Sequence, residues 1–163
     1  MTIRPATPED ADAIAAIYND AIEHTAAIMW HRPKPASDWA QRIGEASTKY
    51  PLLIAHDPRG VVAGFAALVP FDERCGYDDV AEWSLYVQAD LRGRGFGRLL
   101  AQTIINTARN ERQLHSIVSR VTAGNALSER LHNRLGFRHV GTFKKLGYKF
   151  DRRHDVLVYQ LIL

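Results

Sequence analysis

The stretch from Val87 to Leu100, VQADLRGRGFGRLL, joins the end of an apolar strand to a glycine-rich turn and the start of a helix. Glycine adopts backbone conformations closed to other residues and lets a ligand approach the chain closely. The unpaired N–H groups at a helix start attract anions, and Arg92, Arg94 and Arg98 add positive charge. The turn therefore predicts a phosphate-binding site, with a glycine-rich loop that binds nothing as the alternative.

Two common phosphate motifs do not fit this turn. A dinucleotide-binding G-x-G-x-x-G would start at Gly93 and Gly95, but its third glycine falls on Arg98, and the chain contains no G-x-x-x-x-G-K-[ST] string. The pattern present is Arg92-x-x-Gly95-x-Gly97 after a strand. It resembles the R/Q-x-x-G-x-G/A signature with which the GNAT N-acetyltransferase superfamily cradles the pyrophosphate of coenzyme A.

Further segments match the same superfamily in order. The opening I-R-x-A-x-x-x-D starts at Ile3, Asn125 precedes a helix where the family has an asparagine on the pantetheine arm, and LHNRLGF, 131–137, resembles the closing Y-x-x-x-GF. The resemblance implies one domain over 1–163 with the GNAT fold. In that α/β (α+β) fold, a mixed central sheet is flanked by helices.

Length and composition agree with a single globular domain. The chain has 163 residues, of which 46% are hydrophobic and 24% charged. No apolar run approaches the ~18 residues of a membrane helix, and the start MTIRPATPED lacks a signal-peptide pattern. Because Cys75 is the single cysteine, we expect a reducing cytoplasm, and the lack of a long apolar run predicts no membrane partner.

Charge is distributed unevenly along the chain. Residues 1–91 carry 7 basic and 14 acidic side chains, whereas residues 92–163 carry 14 basic and 4 acidic ones. Such a basic half suggests a polyanionic partner, either nucleic acid or a phosphorylated cofactor. Because three arginines converge on one turn, a compact pyrophosphate is favoured over nucleic acid, and the family resemblance makes acetyl-CoA the expected co-substrate.

Periodicity and breaker residues predict the remaining elements. Thr7 and Pro8 are typical of a helix start, and Asp10 completes a capping box. The apolar last strand is expected to be an edge that pairs in a homodimer. Strands are predicted over 3–5, 52–55, 61–69, 82–88, 116–122, 137–143 and 155–163, and helices from Pro8, near Ser37, from Gly97 to Arg109, and from Asn125 to before Gly136.

Within the superfamily, several strings resemble the phosphinothricin acetyltransferase group. These are KYPLLIA at 49–55, RCGYDDVAEWSLYV at 74–87 and LGYKFDRRHDV at 146–156. The resemblance implies acetylation of a small amino-acid-like amine, such as phosphinothricin, methionine sulfoximine or methionine sulfone. Asp72 departs from the group, which has a basic residue there. A different, cationic small amine and a non-catalytic acetyl-CoA-binding protein therefore stay open as alternatives.

Acetyl transfer to an amine requires a base, a donor to the developing oxyanion and a route for the thiolate to leave. The family match makes Glu82 the base and the backbone N–H of Val87 the donor. His132 occupies the position where many members have a tyrosine that acts as the acid. It either protonates the thiolate or only packs in the interior. His154 could assist Glu82, bind substrate or cap the last strand.

The resemblance implies the acetyl-CoA contacts, and positions on the loops beside the expected cleft suggest the acceptor contacts. Arg74 or Lys149 is expected to hold an acceptor carboxylate. No metal is expected, because the histidines lack metal-ligand spacing. The expected acceptor contacts are Trp30, Phe71, Arg74, Tyr77 and Lys149, and the expected acetyl-CoA contacts are Leu85, Tyr86, Val87, Arg92, Gly93, Arg94, Gly95, Phe96, Gly97, Arg98, Asn125 and Ser128.

Overall fold

A twisted sheet of seven strands runs through the computed structural model, which describes residues 1–111 and 113–163. The strands follow the order β1-β2-β3-β4-β5-β7-β6. Every neighbouring pair is antiparallel except β4 and β5, which run parallel. The predicted mixed sheet is confirmed. The strands are β1 (Thr2–Pro5), β2 (Leu52–His56), β3 (Val62–Pro70), β4 (Val80–Val87), β5 (Ser116–Thr122), β6 (Arg138–Lys149) and β7 (Arg152–Ile162).

Four α-helices lie within the described residues: α1 (Ala11–His24), α2 (Ala36–Glu45), α3 (Phe96–Glu111) and α4 (Ala126–Arg134). The predicted capping box is confirmed at the entrance to α1. The Thr7 N–H donates to Asp10 Oδ2 over 2.7 Å, and Pro8–Asp10 forms a single 3₁₀ turn before the helix. The Arg4 guanidinium of β1 donates to Asp10 Oδ2 over 2.8 Å and to Asp10 Oδ1 over 2.9 Å. These bonds join the first strand to the start of the first helix.

The end of the chain differs from the prediction in two ways. The last strand, β7, lies between β5 and β6, so the edge belongs to β6 and the expectation for the final strand is wrong. β6 also runs six residues beyond the predicted end at 143. It is mostly exposed, so no apolar alternation marks it. Its tight turn into β7 places Phe150 and Asp151 at positive φ without a glycine.

The helices cover the two faces of the sheet with separate apolar clusters. Trp83 of β4 packs in the cluster that contains the α3 residue Ile104. Tyr86 packs against the opposite cluster, which contains Ile14 of α1 and Trp39 of α2. Alternating residues of β4 therefore face different layers, as in any β-strand.

The parallel pair parts towards its carboxyl end. β4 pairs with β5 from Val80 to Glu82, opposite Ser116 to Val118. β5 then continues beside β7 as far as Thr122, while β4 continues beside β3 as far as Val87. A wedge-shaped gap results between the two strands. In open α/β sheets, ligands bind outside the carboxyl ends of strands.

Candidate active site

The glycine turn begins at the parted end of β4. Gly93 and Gly95 have φ values of +78° and +92°, a region that L side chains rarely adopt. The Leu99 N–H donates to the Gly95 carbonyl over 3.0 Å as the first intrahelical bond. The N–H groups of Phe96, Gly97 and Arg98 therefore have no acceptor within α3. The local geometry is that of an anion-binding helix start.

Close packing holds this helix start against the strand. Phe96 is buried, and a Cβ on Gly97 would lie 3.5 Å from Val87 Cγ2 and 3.6 Å from Leu85 Cδ2. Leu85 and Val87 thus form the floor beneath the turn. On the other side of β4, a Cβ on Gly64 would lie 2.5 Å from the Tyr86 carbonyl oxygen, so only glycine lets β3 approach the end of β4.

The three arginines of the turn have different surroundings. Arg92 Nε donates to the Val87 carbonyl over 3.1 Å, and its guanidinium lies 3.8 Å from Asp20 of α1. Arg92 therefore ties the strand end to the first helix. Arg94 and Arg98 are exposed beside the turn, where their charges are available to a bound anion.

The backbone of Val87 faces the gap. The Gln88 N–H donates to the Ala63 carbonyl over 2.9 Å, and Val87 is level with Gly64 of β3. Because successive N–H groups of a strand point to opposite sides, the Val87 N–H points away from β3 and towards β5. This is the orientation that an oxyanion donor at the gap needs.

Across the gap, Asn125 caps α4. Its Oδ1 accepts from the Ser128 N–H at 3.2 Å, which confirms the predicted helix cap. Because β4 and β5 run parallel, the turn after β5 and the glycine turn after β4 lie at the same edge of the sheet. The residues expected to contact acetyl-CoA are therefore brought together at one end of the gap.

Glu82 lies five residues, about 16 Å of strand, before Val87, and its carboxylate is held by Arg120 of β5. Arg120 Nε donates to Oε1 over 2.7 Å, and a second guanidinium nitrogen donates to Oε2. The hydrogen bond that Arg120 donates to Glu82 raises the pKa of Arg120. Sequence reasoning missed Arg120. The available signal was an arginine, the one charged residue of its strand, two residues beyond the position paired with Glu82.

His132 lies on the opposite face of the sheet from Glu82 and is buried. Trp83 Nε1–H donates to its Nε2 over 3.1 Å, and the Ser119 hydroxyl lies 2.7 Å from the same nitrogen. The Ser128 carbonyl lies 2.7 Å from Nδ1. Since a carbonyl only accepts, this network assigns the proton to Nδ1 and makes the ring neutral. Burial lowers the pKa of His132, in agreement with that assignment.

Lys149 and His154 are also buried. Lys149 Nζ donates to the carbonyls of Ile22 and Ile28, at 2.5 and 2.8 Å, and thereby holds the loop after α1. His154 Nε2 donates to the Lys149 carbonyl over 3.0 Å. The register through Val118 and Gln160 places His154 about 20 Å along the strands from Glu82. These two side chains do not meet.

The expected acceptor loop after β3 carries its own ion pair. Arg74 Nε donates to Asp72 Oδ1 over 2.7 Å and a second nitrogen donates to Oδ2 over 2.8 Å. These hydrogen bonds lower the pKa of Asp72 to about 2. Arg74 also lies 5.0 Å from the ring centre of Tyr77, which packs edge-on against Phe71. Trp30 is exposed, with Lys34 over its ring.

Residues 1–111 and 113–163, which the structure describes, contain neither a metal-binding group nor a membrane-spanning helix. No three histidine, cysteine, aspartate or glutamate side chains are grouped to hold a metal ion. No helix in that part of the chain combines the length and apolar character needed to cross a membrane.

Known proteins are similar to this chain in both sequence and structure. A family model described as an acetyltransferase (GNAT) domain matches residues 3–158. The L-methionine sulfoximine/L-methionine sulfone acetyltransferase of Pseudomonas paraeruginosa is 39% identical, over 99% of this chain and 94% of that protein. The phosphinothricin N-acetyltransferase of Streptomyces viridochromogenes is 32% identical, over 98% and 86%.

A solved structure shows the same similarity in three dimensions. It is a GNAT superfamily phosphinothricin acetyltransferase from Sinorhizobium meliloti in complex with acetyl-CoA. It superimposes with a TM-score of 0.94 at 28% identity, covering 99% of this chain and 88% of that one.

Proposed function

This chain belongs to the GNAT acetyltransferase family as an N-acetyltransferase that uses acetyl-CoA, and we propose that its acceptor is the primary amine of a small amino-acid-like molecule. The observation that carries the proposal is the gap between β4 and β5, which has the glycine turn at its end and Glu82 on its wall. The relatives' substrates, methionine sulfoximine, methionine sulfone and phosphinothricin, support this acceptor class.

Acetyl-CoA supplies the acetyl group as a thioester. The N–H groups of Phe96, Gly97 and Arg98 fit its pyrophosphate, with Arg94 and Arg98 adding charge. Arg92 contributes by fixing the end of β4 to α1. Leu85, Tyr86, Gly93, Gly95, Asn125 and Ser128 complete the proposed binding surface.

Two groups of the chain act on the reacting atoms in this proposal. The Val87 N–H stabilises negative charge on the acetyl oxygen, because it points into the gap. Glu82 accepts the proton of the attacking ammonium. The ~16 Å of strand between Glu82 and Val87 exceeds the reach of one side chain, so the proton passes through water.

The remaining titratable groups have supporting roles in this proposal. His132 lies on α4 and joins this helix to β4, since both of its ring nitrogens are hydrogen-bonded inside the protein. Lys149 and His154 secure the loop that leads to Trp30. The coenzyme A thiolate then leaves without a dedicated acid, since a simple thiol has a pKa near ~8.5.

A coenzyme A release assay tests the function. The wild-type protein is given acetyl-CoA with phosphinothricin, methionine sulfoximine, methionine sulfone, ordinary amino acids or polyamines. We expect turnover on the amino-acid analogues. Turnover confined to polyamines would replace the acceptor class with cationic amines. No turnover, together with a melting temperature raised by acetyl-CoA, would indicate a cofactor-binding protein.

We also propose a homodimer that works in the cytoplasm. The edge strand β6 and its turn expose a row of large apolar side chains: Val140, Phe143, Leu146, Tyr148 and Phe150. Such an edge is a natural site for pairing between chains. The exposed thiol of Cys75 suits a reducing compartment. A monomer in sedimentation velocity would contradict the dimer.

A further inference from the structure

The ion pair between Glu82 and Arg120 is open to solvent at the acceptor side of the gap. The Arg120 side chain is 57% exposed and the Glu82 side chain 20%. Val118 is level with Glu82, so Arg120 lies two residues, about 7 Å, nearer to the parted end of the strands. The guanidinium therefore belongs to the path between the proposed base and Val87.

An α-amino acid presents two charges on a single carbon atom. Its ammonium must pass a proton to the base, and its carboxylate needs a cation near that base on the side of Val87. Arg120 is such a cation, because it already touches both oxygens of Glu82. The guanidinium fork that holds the glutamate carboxylate has the same geometry for a substrate carboxylate.

The two cations that the sequence suggested for this task are engaged elsewhere. Arg74 is bound at two nitrogens by Asp72 on its own loop. Lys149 is buried, with its ammonium on two backbone carbonyls. Recruiting either one would break contacts that order a loop, whereas Arg120 exchanges one carboxylate for another.

We propose that Arg120 binds the α-carboxylate of the acceptor, releasing Glu82 to accept the proton of the amine through water, and so selects α-amino acids over amines without a carboxylate. This inference rests on the proposed function. A simple amine offers Arg120 no replacement partner, so Glu82 stays occupied and the guanidinium repels the incoming ammonium. Arg120 is thus a specificity-determining residue for the reaction.

The test uses two acceptors that differ only in the carboxylate: methionine sulfone and 3-(methylsulfonyl)propylamine. Steady-state constants are measured for the wild type, Arg120→Gln, Arg120→Lys and a control, Arg109→Gln. Arg109 is an exposed arginine in the last turn of α3, on the other face of the sheet. The increase in melting temperature with acetyl-CoA verifies that each variant is folded and binds the cofactor.

We expect Arg120→Gln to lower kcat/KM for methionine sulfone about 10- to 100-fold, mostly through KM, as for loss of a charge-assisted hydrogen bond. For the propylamine, kcat/KM should stay the same or rise. Arg120→Lys, which keeps the charge but not the fork, should be intermediate, and Arg109→Gln should match the wild type.

Two outcomes count against the inference, and they are distinguishable. Equal losses on both acceptors in a folded Arg120→Gln variant would overturn it, because Arg120 would then act only by orienting Glu82. If the wild-type protein acetylates neither acceptor, the proposed amino-acid function fails first, and the inference fails with it.

Discussion

Adjacent residues of β4 face two different environments. Glu82 points to the face where Arg120 holds it and where solvent reaches both partners. Trp83 points to the other face, where His132, Ser119 and the Ser128 carbonyl form a network whose side chains are buried or half-buried. One face presents an ion pair that solvent reaches, and the other a neutral network of buried or half-buried side chains.

The two faces of β4 therefore serve different purposes, one catalysis and the other stability. An exposed ion pair contributes at most about 1 kcal/mol to stability, so the protein can break it during turnover at small cost. A buried donor left without its partner costs about 1–3 kcal/mol, so the network around His132 must stay intact. Activity should therefore depend on the first face and stability on the second.

The largest expected effect is on activity at the exposed face. Glu82→Gln keeps the size of the side chain but removes the base, so we expect kcat to fall about 100- to 10,000-fold. The free energy of unfolding should change by less than about 1 kcal/mol. Both quantities are measured, by coenzyme A release and by urea denaturation, with the exposed Glu111→Gln of α3 as the matched control.

A Glu82→Gln enzyme with unchanged kcat would remove the base from the proposed mechanism. A large loss of stability in this variant, with activity retained per folded molecule, would reverse the assignment of the two faces.

The next effect is on stability at the buried face. His132→Ala opens a cavity and leaves the Trp83 N–H without an acceptor, so we expect a loss of about 3 kcal/mol in the free energy of unfolding. The kcat per folded molecule should change by less than about tenfold, since no reacting atom has lost its partner. The control is His139→Ala, which removes an exposed histidine that is hydrogen-bonded to Thr142.

This variant also decides between the two roles that the sequence left open for His132. A loss of kcat above about 100-fold in folded protein, with little loss of stability, would indicate that His132 protonates the thiolate.

Local patterns made much of this arrangement predictable. The glycine turn, the cap at Asn125 and the alternation of Glu82 and Trp83 each depend on a few consecutive residues. The fold followed from those signals together with the family resemblance. The start of α1 was equally accessible, because its capping box depends on the spacing of Thr7 and Asp10.

Contacts between segments that are distant in sequence could not be predicted from such local patterns. Arg120 meets Glu82 only because β4 and β5 pair in parallel with one particular register. Lys149 was predicted to hold an acceptor carboxylate, yet its ammonium donates to the carbonyls of Ile22 and Ile28. The interior position of β7 likewise depends on strand order, which short-range patterns do not encode.

The smallest expected effect is a pH dependence of stability that belongs to the buried face alone. Burial lowers the pKa of His132 in the folded protein, whereas in the unfolded chain a histidine titrates near ~6.5. Below that pH the unfolded chain takes up the proton first. The contribution of the neutral ring to stability is therefore complete above ~6.5 and decreases as the pH falls, by at most about 1.4 kcal/mol for each pH unit.

The measurement is urea denaturation of wild type and His132→Ala between about pH 7.5 and 5.5, above the range where aspartates titrate. We expect the stability difference between the two proteins to narrow towards pH 5.5, because only the wild type loses this contribution. A difference that widened instead would mean that the folded protein stabilises a charged His132, and the contrast between the two faces of β4 would not hold.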